Sequence, residues 1–199
     1  MEVPLSLEEG KLIWYCEEMW RTFNPAATTP DTHAEEQLAK WKLEDPKDQK
    51  FIQQVFYGLT RYKKLVGVFT QAFYFAKGGE VSRTDVDTYT VFAYLTLMRL
   101  KELQYVAYRK LILSQEPQKM LVLLHFIFNE GNLMSFCRDP WMKLYDVQYV
   151  DELIRTALSF LPDLADMISS LEEKVYMAKK AEEEEANSWA KAGSAQVTV

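Results

Sequence analysis

Histidine and cysteine are nearly missing from this chain, with two of each among 199 residues. Cys16 and Cys137 lie far apart and share no metal-ligand spacing, so neither a zinc site nor a disulfide framework follows from them. Two isolated thiols in a chain of this size fit a reduced intracellular protein. A basic excess is missing too. The formal charge of -6 argues against nonspecific nucleic-acid binding as the main activity, since that needs a net positive surface. It also disfavours simple attraction to acidic membranes or acidic tubulin tails, leaving either to a local basic patch. The start, MEVPLSLEEG, has acids where a signal peptide carries cations and then a long apolar stretch. The longest apolar run, residues 120–124 and 126–128 on either side of His125, falls well short of the ~20 residues of a membrane span. The expectation is a soluble chain, cytoplasmic in the broad sense.

What the chain does have is packing material. Hydrophobic residues make up 48% and aromatics 14%, a folded composition clear of the disordered regime. The length fits one domain of ordinary size plus an appendage. The cleanest pattern is Ile52, Val55, Leu59, Tyr62, Val66, Phe69, Phe73, Ala76, alternating steps of three and four. That stepping puts every member on one face of a helix.

Punctuation elsewhere also points to helices. Ser6 followed by Glu9 reads as a capping box, opening a helix whose apolar side is Leu12, Cys16, Met19 and Phe23. Residues 24–31 (NPAATTPD) read as a linker, and 32–41 as a short polar helix. Asp45-Pro46 and Asp139-Pro140 each pair an N-cap with proline at the first helical position. Gly58 and Gly67 each cost ~1 kcal/mol inside a helix, so a break or kink is expected near Gly58. Gly78-Gly79 reads as a helix stop. A helix over 84–100 is apolar all round at 91–97 and should be central and buried. Another follows over 102–114, amphipathic through Leu103, Tyr105, Val106 and Leu111. Pro117 opens the most apolar helix, closed by Asn129-Glu130-Gly131. Its LVLLHFIF run is by itself compatible with a buried strand, but the proline start and helical neighbours favour helix. Residues 141–145 and 149–161 continue the helical series. Pro162 starts the last helix, with Leu164, Ile168, Leu171, Val175 and Ala178 as its apolar seam. Beyond Ala178 the seam fails at the acidic run 182–185, and the chain there can be helical only as a solvated rod. Residues 193–199 should be disordered.

The fold class is therefore all-α: a multi-helix bundle or short helical-repeat-like stack, with a long charged C-terminal helix. The organisation divides into an N-terminal helix and linker at 1–44, a helical core domain at 45–178 and a charged extension and tail at 179–199.

Candidate sites are few. His125, among Leu121, Leu124 and Phe128, reads as a hydrogen-bonded core histidine before it reads as a ligand. His33, beside a linker near Glu35 and Glu36, reads as a surface histidine. Arg138 next to Cys137 could lower a thiol pKa, but without a nearby histidine a packing cysteine is the better reading. Gly78-Gly79 with Ser82, Arg83 and Thr84 lacks the lysine and spacing of a phosphate loop; a helix stop and cap suffices. We expect no catalytic residue, no cofactor and no metal. Arg61, Lys63 and Lys64 place three cations within four residues, and Arg99, Lys101, Arg109 and Lys110 add more. These read as a solvated helix face or as a docking patch for an acidic partner. Glu182, Glu183, Glu184 and Glu185 read likewise as a solvated face or the complementary docking element.

Five segments also carry a family resemblance. VFYGLTRYKKLVGVFTQAFYF (55–75), YTVFAYLTLMRLKEL (89–103), SQEPQKMLVLLHFIFNEGNL (114–133), DPWMKLYDVQYVDELI (139–154) and LSFLPDLADMISSLEE (158–173) resemble, in order and spacing, the cilia- and flagella-associated protein 99 family. The resemblance covers roughly residues 50–173 and consists of packing patterns, not catalytic signatures. Gly67 departs from it, standing where a larger apolar residue is expected. The resemblance implies a non-enzymatic structural component of the axoneme, plausibly of the central apparatus, with other axonemal proteins as partners and tubulin a candidate. Membranes, nucleic acids and small-molecule substrates are not implied. The competing reading is a helical regulatory or adaptor module that binds a peptide or partner helix outside cilia.

Overall fold

A computed structural model describes residues 7–75, 82–128, 155, 159 and 161–194. The chain is all-α, and among the described residues it forms eight α-helices and no strand. They are α1 (Glu9–Thr22), α2 (Pro30–Trp41), α3 (Pro46–Arg61), α4 (Lys63–Tyr74), α5 (Arg83–Ala93), α6 (Val106–Leu113), α7 (Pro117–Phe128) and α8 (Leu161–Ser194). Between α5 and α6 run a π-helical segment, Tyr94–Met98, and a 3-10 segment, Leu100–Gln104.

The helix starts follow local chemistry. Asp45 accepts from Lys47 N at 2.8 Å ahead of Pro46, and Ser82 accepts from Asp85 N at 3.1 Å ahead of α5. Each satisfies an amide that the first turn would otherwise leave open. Thr29 does the same for α2, whose first residue is Pro30, so this helix begins two residues earlier than the linker composition suggests. At the start of α1 the cap position is occupied by Glu8, with no side-chain cap. The helix begins at Glu9, which places that residue in the first turn; Ser6 lies outside the described residues.

One continuous core joins the helices. Leu12, Ile13, Cys16 and Met19 of α1 meet Phe51, Ile52, Val55, Phe56 and Leu59 of α3, and Val91, Phe92 and Leu95 lie buried with them. The residues before Asp45 thus share the core, which runs across the organisational boundary read at 44. The 91–97 stretch is buried throughout. Its second half is π-helical, with Tyr108 Oη donating to Leu95 O and Thr96 Oγ1 to Phe92 O. The LVLLHFIF run lies in α7 as helix.

Three packing expectations are corrected. The break in the 52–73 ladder comes at Tyr62 (φ -103°, ψ 17°) and not at Gly58. α3 is continuous through Gly58, against which the Tyr94 phenol packs so closely that a Cβ would overlap the ring. Val106, read as apolar-side, is exposed, while Leu103 and Leu111 are buried. On α8, Leu164, Met167, Ile168 and Leu171 are buried and Val175 half-buried, but Ala178 is exposed. The seam is covered, chiefly by α7, for about one turn less than its letters allow. α8 nevertheless stays helical through Gly193 to Ser194. The features read at Ala76, Gly78-Gly79, 129–131, Cys137, Arg138, 139–145 and 149–154 lie outside the described residues.

Candidate docking surfaces

The two histidines occupy environments opposite to those their neighbours in sequence suggest. His33 is buried. Its Nε2 lies 3.0 Å from Met19 O and 3.3 Å from Thr22 Oγ1, and its ring sits 5.3 Å from Phe23 and 5.6 Å from Phe56. The helix is polar, but α2 turns this one residue and Ala34 onto α1 and α3. His125 is 51% exposed and faces Glu172 of α8 across 3.2 Å. It lies one turn from Val122, itself exposed, so α7 has a wet face despite its composition. His125 is a surface histidine, not a core one.

Cys16 is fully buried, and burial pushes its thiol well above the usual range, against the pull of Arg99. Such a thiol stays protonated and unreactive. The same guanidinium organises the centre of the fold. Arg99 has only 14% of its side chain exposed, with Glu102 at 3.7 Å and the rings of Phe51 and Tyr108 at 5.0 and 5.7 Å. Its charge is spent inside, on aromatic faces and one carboxylate. Arg109 likewise donates to Leu103 O. Of the four extra cations that could have widened a basic patch, only Lys101 and Lys110 are exposed.

The first three cations are different. Arg61, at the end of α3, and Lys63 and Lys64, at the start of α4, are all exposed at the Tyr62 corner. Arg61 lies over the Tyr62 ring at 5.4 Å. None of the three has a carboxylate partner among the described residues. Tyr57, one turn before Arg61, is also exposed. Burial raises the pKa of its hydroxyl somewhat, and the nearby Asp31 and Glu35 add to the rise.

The second charged element is the free half of α8. Every residue from 176 to 193 is exposed, a rod of about 27 Å at 1.5 Å per residue. It carries Glu182, Glu183, Glu184 and Glu185, and also Tyr176, Met177 and Trp189, the last 73% exposed. Trp189 falls 18 residues beyond Leu171, which is five full turns of 3.6, so it continues the very face that α7 covers lower down. Sequence reading placed Trp189 on the solvated rod but did not single it out as a continuation of the seam, for which that spacing was the available signal. Near the base of the rod, Lys174 Nζ donates to Leu113 O at 3.2 Å.

Among the described residues no group of three or more metal-ligating side chains comes together, and no helix is long and apolar enough to cross a membrane. The arrangement is one of surfaces: a cationic corner on the body and an acidic, aromatic-tipped rod leaving it. No family model, curated protein or solved structure matches the chain.

Proposed function

We propose that this protein is a structural interaction component of the ciliary or flagellar axoneme, belonging to the central apparatus and held to other axonemal proteins by helical surfaces. The observation that carries the reading is α8. A helix that leaves its core and exposes an aromatic residue on its seam face is suited to reaching a neighbour, and a free-standing globular unit has no use for it. The resemblance over residues 50–173 supplies the setting. We read the chain as a scaffold and not an enzyme: the His33 ring is spent on Met19 O and Thr22, and the Cys16 thiol is held protonated by burial.

In this reading the cationic corner and the acidic rod are two modest contacts among several. Exposed charge pairs are worth ~0–1 kcal/mol each, so reversing one alters little. Reversing Arg61, Lys63 and Lys64 together weakens incorporation into cilia, and more so as salt rises and screens what remains. The test is a tagged copy followed in ciliated cells and then through detergent extraction. It should stay with demembranated axonemes. A copy confined to the cytoplasm, or released entirely with the membrane fraction, would overturn the assignment in favour of an adaptor that works outside cilia.

A further inference from the structure

We propose that the free half of α8 docks on the Tyr57–Arg61–Lys64 face of a second copy of this chain, joining copies head to tail. The inference deepens the docking reading above by naming one occupant for both surfaces.

Three observations converge on it. The first is continuity: the face of α8 that α7 covers through Leu171 runs on, uncovered, to Trp189. The second is charge. Arg61, Lys63 and Lys64 form the densest cationic run of the sequence, and Glu182, Glu183, Glu184 and Glu185 the densest acidic one. Both are exposed, and the cations lack carboxylate partners among the described residues. The third is spacing. Tyr57, Arg61 and Lys64 follow one another at steps of four and three, and so, read backwards, do Trp189, Glu185 and Glu182. Laid antiparallel to α3, the rod brings Trp189 to Tyr57 and Glu185 to Arg61, with Glu182 toward Lys63 and Lys64 at the start of α4. These residues are all exposed. The i, i+4, i+7 pattern keeps the α8 set on one face; on the other side Tyr57 and Arg61 share a face of α3, while Lys64 stands just past the Tyr62 corner at the start of α4. Asp31 and Glu35, which flank Tyr57, then meet the Lys191 end of the rod and not its acids.

The contact is heterologous, since the surface given differs from the surface received. α8 is one uninterrupted helix from the core outward, and every residue from 176 to 193 is exposed, so the rod is open to another molecule. Aromatic contact at the tip supplies the desolvated anchor, and the charges fix direction and register.

The test uses the full chain in solution. Light scattering across a concentration series should show self-association at low salt that weakens as salt is added. The triple variant R61E/K63E/K64E and the quadruple variant E182K/E183K/E184K/E185K should each be monomeric, because each loses one half of the contact. Mixed together they should associate again, since the reversed charges remain complementary. Trp189→Ala should raise the dissociation constant about tenfold, the equivalent of ~1.4 kcal/mol. Circular dichroism of each variant checks that the fold is kept. A chain that is monomeric at every concentration, an oligomer that survives both reversals, or reversed chains that fail to associate on mixing would each sink the inference. None of these outcomes bears on whether the protein stays with axonemes, so the two readings fail separately.

Discussion

The α1–α3 end of the molecule and its α7–α8 end each hold one histidine, and the two ends treat it oppositely. His33 comes from a polar helix and is buried against Phe23 and Phe56; His125 comes from the most apolar helix and is half exposed beside Glu172. The composition of a helix therefore decides little about any one of its residues. Burial is decided by which neighbour covers that angular position. α2 has a narrow apolar face but lies against two helices, α1 and α3. α7 is apolar nearly all round, yet α8 and α6 leave the Val122–His125 side open. The first end is a core with polar groups fitted into it. The second is a seam that α8 outruns.

The sharpest test of that contrast removes volume from each end. Phe56 is fully buried, with Phe23 edge-on at 5.2 Å and His33 at 5.6 Å. Phe56→Ala should cost about 3–5 kcal/mol in denaturant unfolding. Val175→Ala, where the α8 seam runs out into solvent, should cost under ~1 kcal/mol by the same measurement, since a half-buried side chain leaves no closed cavity. Equal losses would mean that the two ends are packed alike.

Titration separates the ends next. Cys16, Tyr74, Tyr94 and Tyr108 are all pushed above their ordinary values, in each case chiefly by burial. The sign follows directly. Above the ordinary range of these groups the unfolded chain has lost protons that the folded chain still holds. Stability is therefore complete below about pH 9, the ordinary value for Cys16, and falls as pH rises past it. Each group whose unfolded form is ionised while its folded form is not contributes about 1.4 kcal/mol per pH unit. Urea midpoints between neutral and strongly alkaline pH should drop steeply. A flat profile would show that these groups reach water in the folded state.

How much of this was legible in advance depends on whether the cause was local. Asp45-Pro46, Ser82 and Pro117 mark helix starts because a cap or a fixed φ acts within three residues, and each start appears where it reads. The 52–73 ladder is legible for the same reason, since one helix face is set by spacing alone. The break at Tyr62 is not, because Gly58 answers to a contact with Tyr94, 36 positions away in the chain, and not to a local helix stop. Arg99 reads as one more surface cation until Phe51 and Tyr108 are placed around it. Of the docking residues, Arg61, Lys63, Lys64 and the acids at 182–185 are found by their charge. Tyr57 and Trp189 are not, because exposure of an aromatic depends on what fails to cover it.

His33 tests the middle of the scale. His33→Ala should cost about 2–3 kcal/mol, combining a small cavity with the loss of the Nε2 contacts to Met19 O and Thr22 Oγ1. His33→Gln keeps a donor and should recover part of that. If alanine is tolerated without loss, the aromatic pocket is looser than the ring distances imply.

The smallest effects should come from the α8 end. His125 and Glu172 are 51% and 55% exposed, and a pair so open to solvent is worth ~0–1 kcal/mol even with the histidine charged. His125→Ala should therefore leave the unfolding midpoint almost unchanged. Removing residues 179–199 should do as little. Every described side chain in that stretch is exposed, so no apolar area is uncovered in the core when it goes. The helical signal should fall by about the share those residues contribute, while the midpoint in urea stays put. A truncated chain that unfolds much earlier would mean that the rod folds back on the body in solution. The seam face of α8 would then be covered within one copy, leaving no free partner surface at Trp189.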